Sequence, residues 1–246
     1  MDGLSGKTAL VTGGARGIGA GIARRLAAEG VSVAITYSAS AGKANDLVAE
    51  IRANAGTAMA IAADAADADA VAAAVARTIA EFGRLDILVN NAGMGIAAPI
   101  EDISLEDYDR CFAVNVRAVF VAMQAAARHM GPGGRIITIG SVNGDRIPFG
   151  AASVYAATKA AVAGLTRGAA RDLGQRGITV NVVQPGPIDT DMNPADGPYA
   201  ASGLAAVAVG HYGEPRDVAA MVAFLASPEA AFITGASLNV DGGYNA

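Results

Sequence analysis

A chain of 246 residues with a formal charge of −5 is long enough to bury one sizeable α/β core, and too acidic for the clustered Lys and Arg surface that a nucleic-acid backbone requires. One cysteine, Cys111, excludes an internal disulfide and fits a reducing, cytoplasmic setting, while His129 and His211 lack any ligand spacing, so no metal is expected. No apolar run of transmembrane length and no leader pattern stands out, because residues 7–11 already open the fold; a membrane is not an expected partner.

The apolar run 8–11 reads as a buried strand. It leads directly into Thr12-Gly13-Gly14-Ala15-Arg16-Gly17-Ile18-Gly19 and a helical stretch ending near Gly30. Strand, glycine turn and helix in that order suit a pyrophosphate: the glycines allow close backbone approach, and the helix start offers free N–H donors and the positive end of its dipole. The spacing is GxxxGxG and not the better-known GxGxxG. A second strand is expected over 31–35. The residues after it, Thr36-Tyr37-Ser38-Ala39-Ser40, contain no acid, where an NAD site places Asp or Glu to hold the ribose 2′-hydroxyl. A carboxylate there would repel a 2′-phosphate, so its absence, with Arg16 in the glycine turn, favours NADP(H) and leaves NAD(H) as the alternative.

The alanine-rich tract 53–80 contains a third strand, 58–62, and an amphipathic helix with Val71, Val75 and Ile79 on one face. Asp64 between them suits a helix N-cap. A fourth strand, 87–89, precedes Asn90-Asn91-Ala92-Gly93. The helical stretch 114–130 carries Asn115, which on its own reads as a helix-bending polar residue satisfied by backbone. A fifth strand, 135–139, ends just before Ser141. The helix over 153–173 places Tyr155 and Lys159 one turn apart on one face. A free tyrosine titrates near ~10; a neighbouring ammonium favours the phenolate, toward the range in which general acid/base catalysis works. The sixth strand, 179–183, is followed by Pro185-Gly186 and by a small-residue segment, about 187–212, read as a mobile lid. A last strand covers 237–240. Such alternation predicts one domain over 1–246: a seven-stranded parallel sheet with helices on both faces and the site at the carboxyl ends of the strands.

The glycine turn, Asn90 to Gly93, Asn115, Ser141, the Tyr155/Lys159 pair and Pro185-Gly186 together resemble the short-chain dehydrogenase/reductase family over nearly the whole chain. The resemblance implies a doubly wound Rossmann-type domain and hydride transfer between a nicotinamide and a carbonyl carbon. Ser141 would then hydrogen-bond the carbonyl oxygen and Tyr155 would exchange its proton. Lys159 would hold the nicotinamide ribose and assist Tyr155, and Asn115 would order a water reaching Lys159. Cofactor contacts are expected from Gly13, Arg16, Gly17, Ile18, Gly19, Tyr37, Ser38, Asp64 (at the adenine), Asn91, Ala92, Gly93, Tyr155, Lys159, Pro185, Gly186, Ile188 and Thr190.

The function implied is NADP(H)-dependent interconversion of a ketone and a secondary alcohol. Enzymatic alternatives are an NAD-dependent polyol or hydroxy-acid dehydrogenase and a 3-oxoacyl carrier-protein reductase; a catalytically idle nucleotide-binding protein on the same fold is the rival of another class. The subgroup of carrier-protein reductases and related carbonyl reductases is nearest. Arg128 and Arg171 fall near its carrier-binding positions, whereas 142–150 departs from its usual wording. The substrate surface expected from Met94, Ile96, Val142, Phe149 and Met192 is apolar. The family's habit also implies a 222 homotetramer built on helices 114–130 and 153–173, with Ala160, Ala163, Gly164 and Gly168 permitting close approach.

Overall fold

The computed structural model describes residues 3–197 and 200–246. Its strands are β1 (Thr8–Val11), β2 (Ser32–Tyr37), β3 (Ala58–Ala62), β4 (Ile87–Asn90), β5 (Arg135–Ile139), β6 (Thr179–Pro185) and β7 (Ser237–Val240). They form one seven-stranded sheet in the order β3-β2-β1-β4-β5-β6-β7, with every neighbouring pair parallel. The helices are α1 (Gly17–Ala28), α2 (Ala41–Ala53), α3 (Ala68–Phe82), α4 (Leu105–Phe112), α5 (Ala118–Ala127), α6 (Ser153–Gly174), α7 (Ala200–Ala205) and α8 (Pro215–Ala226).

The pleat divides the core in two. Along β1, Ala9 and Val11 join the layer made with α1, α2 and α8, while Leu10 joins the layer made with α3, α5 and α6. Ile87 and Val89 against Leu88, and Ile137 and Ile139 against Ile136, repeat the division. Successive side chains in a strand point to opposite faces, so strands covered on both sides must be apolar throughout. The helix expected over Val71, Val75 and Ile79 is α3, and those residues pack on the second layer.

The chain winds outward from β1 to β3, then returns to place β4 beside β1. The connections after β1 and β4 therefore diverge and leave a crevice above their carboxyl ends. β2 and β6 run two residues further than expected, to Tyr37 and Pro185.

Helix α4 was not expected. Ser104 caps it: its Oγ accepts from Asp107 N at 3.0 Å and donates to the Asp107 carboxylate at 2.7 Å. Glu106 and Asp107 supply negative charge to its first turn. A π-helical turn, Ala113–Arg117, joins α4 to α5. The resulting helix, Leu105–Ala127, spans 23 residues and is long and apolar enough to cross a membrane by length and composition. That corrects the expectation that no such run exists. Half of its apolar window is buried in the protein, where Ala118, Val119, Ala122 and Met123 join the α3/α6 layer, as in a core helix.

Candidate active site

The glycine turn is held from β2. Gly13 N donates to Thr36 Oγ1 at 3.0 Å and Gly14 N to Thr36 O at 2.9 Å. Gly13 has φ +62°, and a Cβ there would lie 2.8 Å from Ala92 Cα; at Gly14 it would lie 2.6 Å from Ile35 Cγ2. Only glycine fits both places. Arg16 occupies the N-cap of α1 in an extended conformation with no side-chain cap, and the first turn holds no acid. The amides of Gly17, Ile18 and Gly19 are therefore free to meet an anion at the positive end of the helix.

β4 braces the same turn. Thr12 Oγ1 accepts from Asn91 N and Ala92 N, each at 3.0 Å, and Asn91 Nδ2 donates to Thr12 O and Gly13 O at 2.9 and 3.0 Å. The Asn91 amide thus fastens the loop. Thr12 was not singled out from the sequence; a hydroxyl at a strand end before a glycine turn was its only signal. The buried Asn90 Oδ1 has no partner. An open helix start, a glycine cradle and an orphaned acceptor fit a nucleotide, with Gly13 to Gly19 and Asn90 to Gly93 as its seat.

Four elements converge at Gly93. A Cβ there would lie 3.5 Å from Asn115 Oδ1 and 3.7 Å from Lys159 Nζ. Lys159 is 6% exposed; its ammonium donates to Ile139 O at 3.0 Å and lies 5.6 Å from the centre of the Tyr155 ring. Among the described residues no carboxylate pairs with this ammonium, and burying a cation against one carbonyl is costly. Tyr155 is half-buried on the first turn of α6.

Asn115, in the π-helical turn, is committed to protein groups. Its Nδ2 donates to Met94 O (2.9 Å) and Thr158 Oγ1 (3.0 Å), and its Oδ1 accepts from Met94 N (2.9 Å). Its side chain thus pins the strand-end loop to α6, a long-range tie that the residue alone did not suggest. Such π turns often sit at functional sites.

Ser141 ends β5 beyond Gly140, where any side chain would collide with Gln184. The Ser141 amide donates to Gln184 Oε1 at 2.6 Å, and its hydroxyl accepts from Asn143 N at 3.2 Å. Gln184 is fully buried and was missed from sequence; an amide within an apolar strand was the available signal.

Asp64 neither caps α3 nor stands free. Asp67 is the cap, accepting from Asp69 N and Ala70 N, while Asp64 Oδ1 accepts from Ala66 N at 2.9 Å and Oδ2 lies 3.8 Å from Arg110. Tyr37 is half-buried and Ser38 exposed at the end of β2. Within the segment 187–212, Pro198 and Tyr199 lie outside the described residues. Ile188 is buried and bridges to Gly213, and Thr190 approaches the start of α1, 3.4 Å from where a Gly17 Cβ would stand. Pro185 and Gly186 close the end of β6, and a Cβ at Gly186 would lie 2.7 Å from Asp241 Cα. Of the expected substrate surface, Phe149 and Met192 are exposed, whereas Val142 packs into a small cluster with Val207 and Tyr244.

Cys111 is fully buried and receives an Asn115 Nδ2 contact at 3.5 Å. Burial pushes its thiol up from the ordinary value, so the thiolate that reacts is disfavoured at neutral pH. Native protein should resist maleimide at pH 7 and label fully once unfolded. Rapid native labelling, read by mass, would contradict this.

A family model described as Enoyl-(Acyl carrier protein) reductase matches residues 13–245. The chain is 48% identical over 246 residues to the Cyclic-di-GMP-binding biofilm dispersal mediator protein of Escherichia coli (strain K12), covering 100% of both. It is 42% identical to a 3-oxoacyl-[acyl-carrier-protein] reductase of Synechocystis, covering 99% of this chain and 98% of that one. Among solved structures, a short chain dehydrogenase from Burkholderia cenocepacia J2315 in complex with NADP superposes with a TM-score of 0.98 at 57% identity, covering 99% of each chain. Among the described residues no group of three or more His, Cys, Asp or Glu is placed to hold a metal. The chain belongs to the short-chain dehydrogenase/reductase family of oxidoreductases.

Proposed function

We propose that this oxidoreductase uses NADP(H) to interconvert a ketone and a secondary alcohol, as one domain over 1–246 whose segment 187–212 covers the substrate. The observation that carries the reading is the buried Lys159 ammonium beside the Tyr155 ring, at the meeting point of Gly93, Asn115 and the end of β5. The bound nicotinamide supplies or accepts the hydride. In the reducing direction Tyr155 gives its phenolic proton to the carbonyl oxygen as negative charge develops there, and Ser141 donates a hydrogen bond to that oxygen. Lys159 stabilises the resulting phenolate and, with donors left over from Ile139 O, reaches the ribose. Asn115 and Gln184 position: one holds the Met94 loop, the other the Ser141 backbone.

The NADP complex of the Burkholderia relative supports the cofactor choice, as do the acid-free end of β2 and Arg16 in the glycine turn. Losing a charge-assisted phosphate contact costs about 1.5–3 kcal/mol, so Arg16→Ala should weaken NADPH binding roughly ten- to a hundredfold and spare NADH. Fluorescence titration checks this, and equal losses for both cofactors would reduce Arg16 to a loop residue. The similarity to a carrier-protein reductase keeps an acyl-carrier substrate as a second reading, supported by the exposed Arg128 and Arg171. An idle nucleotide binder has no need of the set Asn115, Ser141, Tyr155 and Lys159.

The deciding experiment is a panel of ketones and alcohols assayed by absorbance with NADPH/NADP and NADH/NAD. Absence of turnover with every pair would overturn the enzymatic reading.

Assembly is expected to follow the family as a 222 homotetramer. Leu105, Tyr108 and Phe120 are exposed on the α4–α5 helix, and a Cβ at Gly168 would meet nothing within 4 Å, leaving α6 open to close approach. Sedimentation at micromolar concentration should show four copies; a monomer would remove the claim.

A further inference from the structure

Asp191, in the segment after β6, is held by two cations from distant parts of the chain. Its Oδ2 lies 2.6 Å from Lys43 Nζ and 3.7 Å from Arg16 NH1. Arg16 occupies the N-cap position of α1, and Lys43 stands in the first turn of α2. No acid occurs between Thr36 and Lys43, and the first turns of both helices lack one. The carboxylate in this cluster is thus brought from far away, to the starts of α1 and α2.

We propose that Lys43 joins Arg16 in binding the 2′-phosphate of NADP(H), and that Asp191 is an internal anion occupying the same cations until that phosphate displaces it. The proposal rests on the NADP(H) reading above. Lys43 and Arg16 hold the Asp191 carboxyl below the usual carboxylate range, Lys43 chiefly, as expected of an anion seated between cations. All three side chains are about half exposed, and an exposed ion pair is weak enough to exchange. A phosphate monoester carries more charge than a carboxylate and offers three acceptor oxygens. Asp191 adjoins Thr190, which lies against the start of α1, while Ile188 is anchored in the core. Exchange at Asp191 therefore releases the outer end of this segment and leaves its root in place. NADH has no 2′-phosphate with which to do so, and the cofactors differ in how they leave the segment as well as in affinity.

The test is fluorescence titration of NADPH and NADH into the wild type, Lys43→Gln and Asp191→Asn. 2′,5′-ADP competes in one arm, and ADP with an equal concentration of inorganic phosphate in another. Lys43→Gln should weaken NADPH about tenfold and change NADH less than about twofold. Asp191→Asn removes the competing anion and should tighten NADPH by up to about fivefold, with NADH unmoved. 2′,5′-ADP should compete more strongly than ADP with free phosphate, which identifies the 2′-phosphate and not a loose phosphate ion. Equal effects of Lys43→Gln on both cofactors, no effect on either, or weaker NADPH binding by Asp191→Asn would overturn the proposal while leaving a wild-type preference for NADPH intact. A wild type that prefers NADH would instead overturn the cofactor reading itself, and this inference with it.

Discussion

Tyr155→Phe should lower turnover by about 10²–10⁴, the range supplied by a positioned general acid/base, while NADPH binds as before. The substitution keeps the half-buried ring against Lys159 and deletes only the hydroxyl. Ser141 is no substitute: among the described residues its hydroxyl accepts from Asn143 N at 3.2 Å and hydrogen-bonds no basic side chain. Lys159 donates to Ile139 O at 3.0 Å and lies against Gly93. The loss should appear in kcat and kcat/KM together, as for a contact made in the transition state. Near-normal turnover would show that another group carries the proton.

Lys159→Met should strike two functions at once. Methionine replaces the stem and deletes the ammonium, so the phenolate loses its neighbouring charge and the ribose its donor. Turnover should fall by at least about 10² and NADPH affinity should fall with it. Stability separates this from a structural role. A buried cation with one carbonyl partner is unfavourable in itself, so Tm should stay level or rise; a clear drop would make Lys159 a support of the fold. Loss of turnover with unchanged NADPH binding would retain the proton-transfer role and remove the ribose contact.

Much of this arrangement is legible in local sequence. Buried parallel strands are short apolar runs between glycines and helices, and β1, β3, β5 and β7 lie at the expected bounds. The glycine turn and the Tyr155/Lys159 pair are equally local, since each spans a few residues and its geometry follows from one helix turn or one loop. Helix α4 was not legible for the complementary reason: Leu105, Tyr108, Cys111 and Phe112 do share one face, but eight residues rich in Asp and Glu are too short to hold a helix alone, and its stability comes from a serine cap and from the helix it continues into.

Local sequence thus specifies the set of elements and the chemistry each can carry. Which residues meet was decided by the sheet. Thr12 reaches Asn91 across 79 positions because β4 returns beside β1, and Ser141 meets Gln184 across 43 because β5 pairs with β6. Lys43 meets Asp191 across 148 because the segment after β6 folds back over the starts of α1 and α2. Asn115 acquires its role only when the π turn brings it to Met94. Periodicity reports a residue's own helix or strand; hydrogen bonds between strand ends depend on the order in which the strands lie, and that order is a property of the whole packed core.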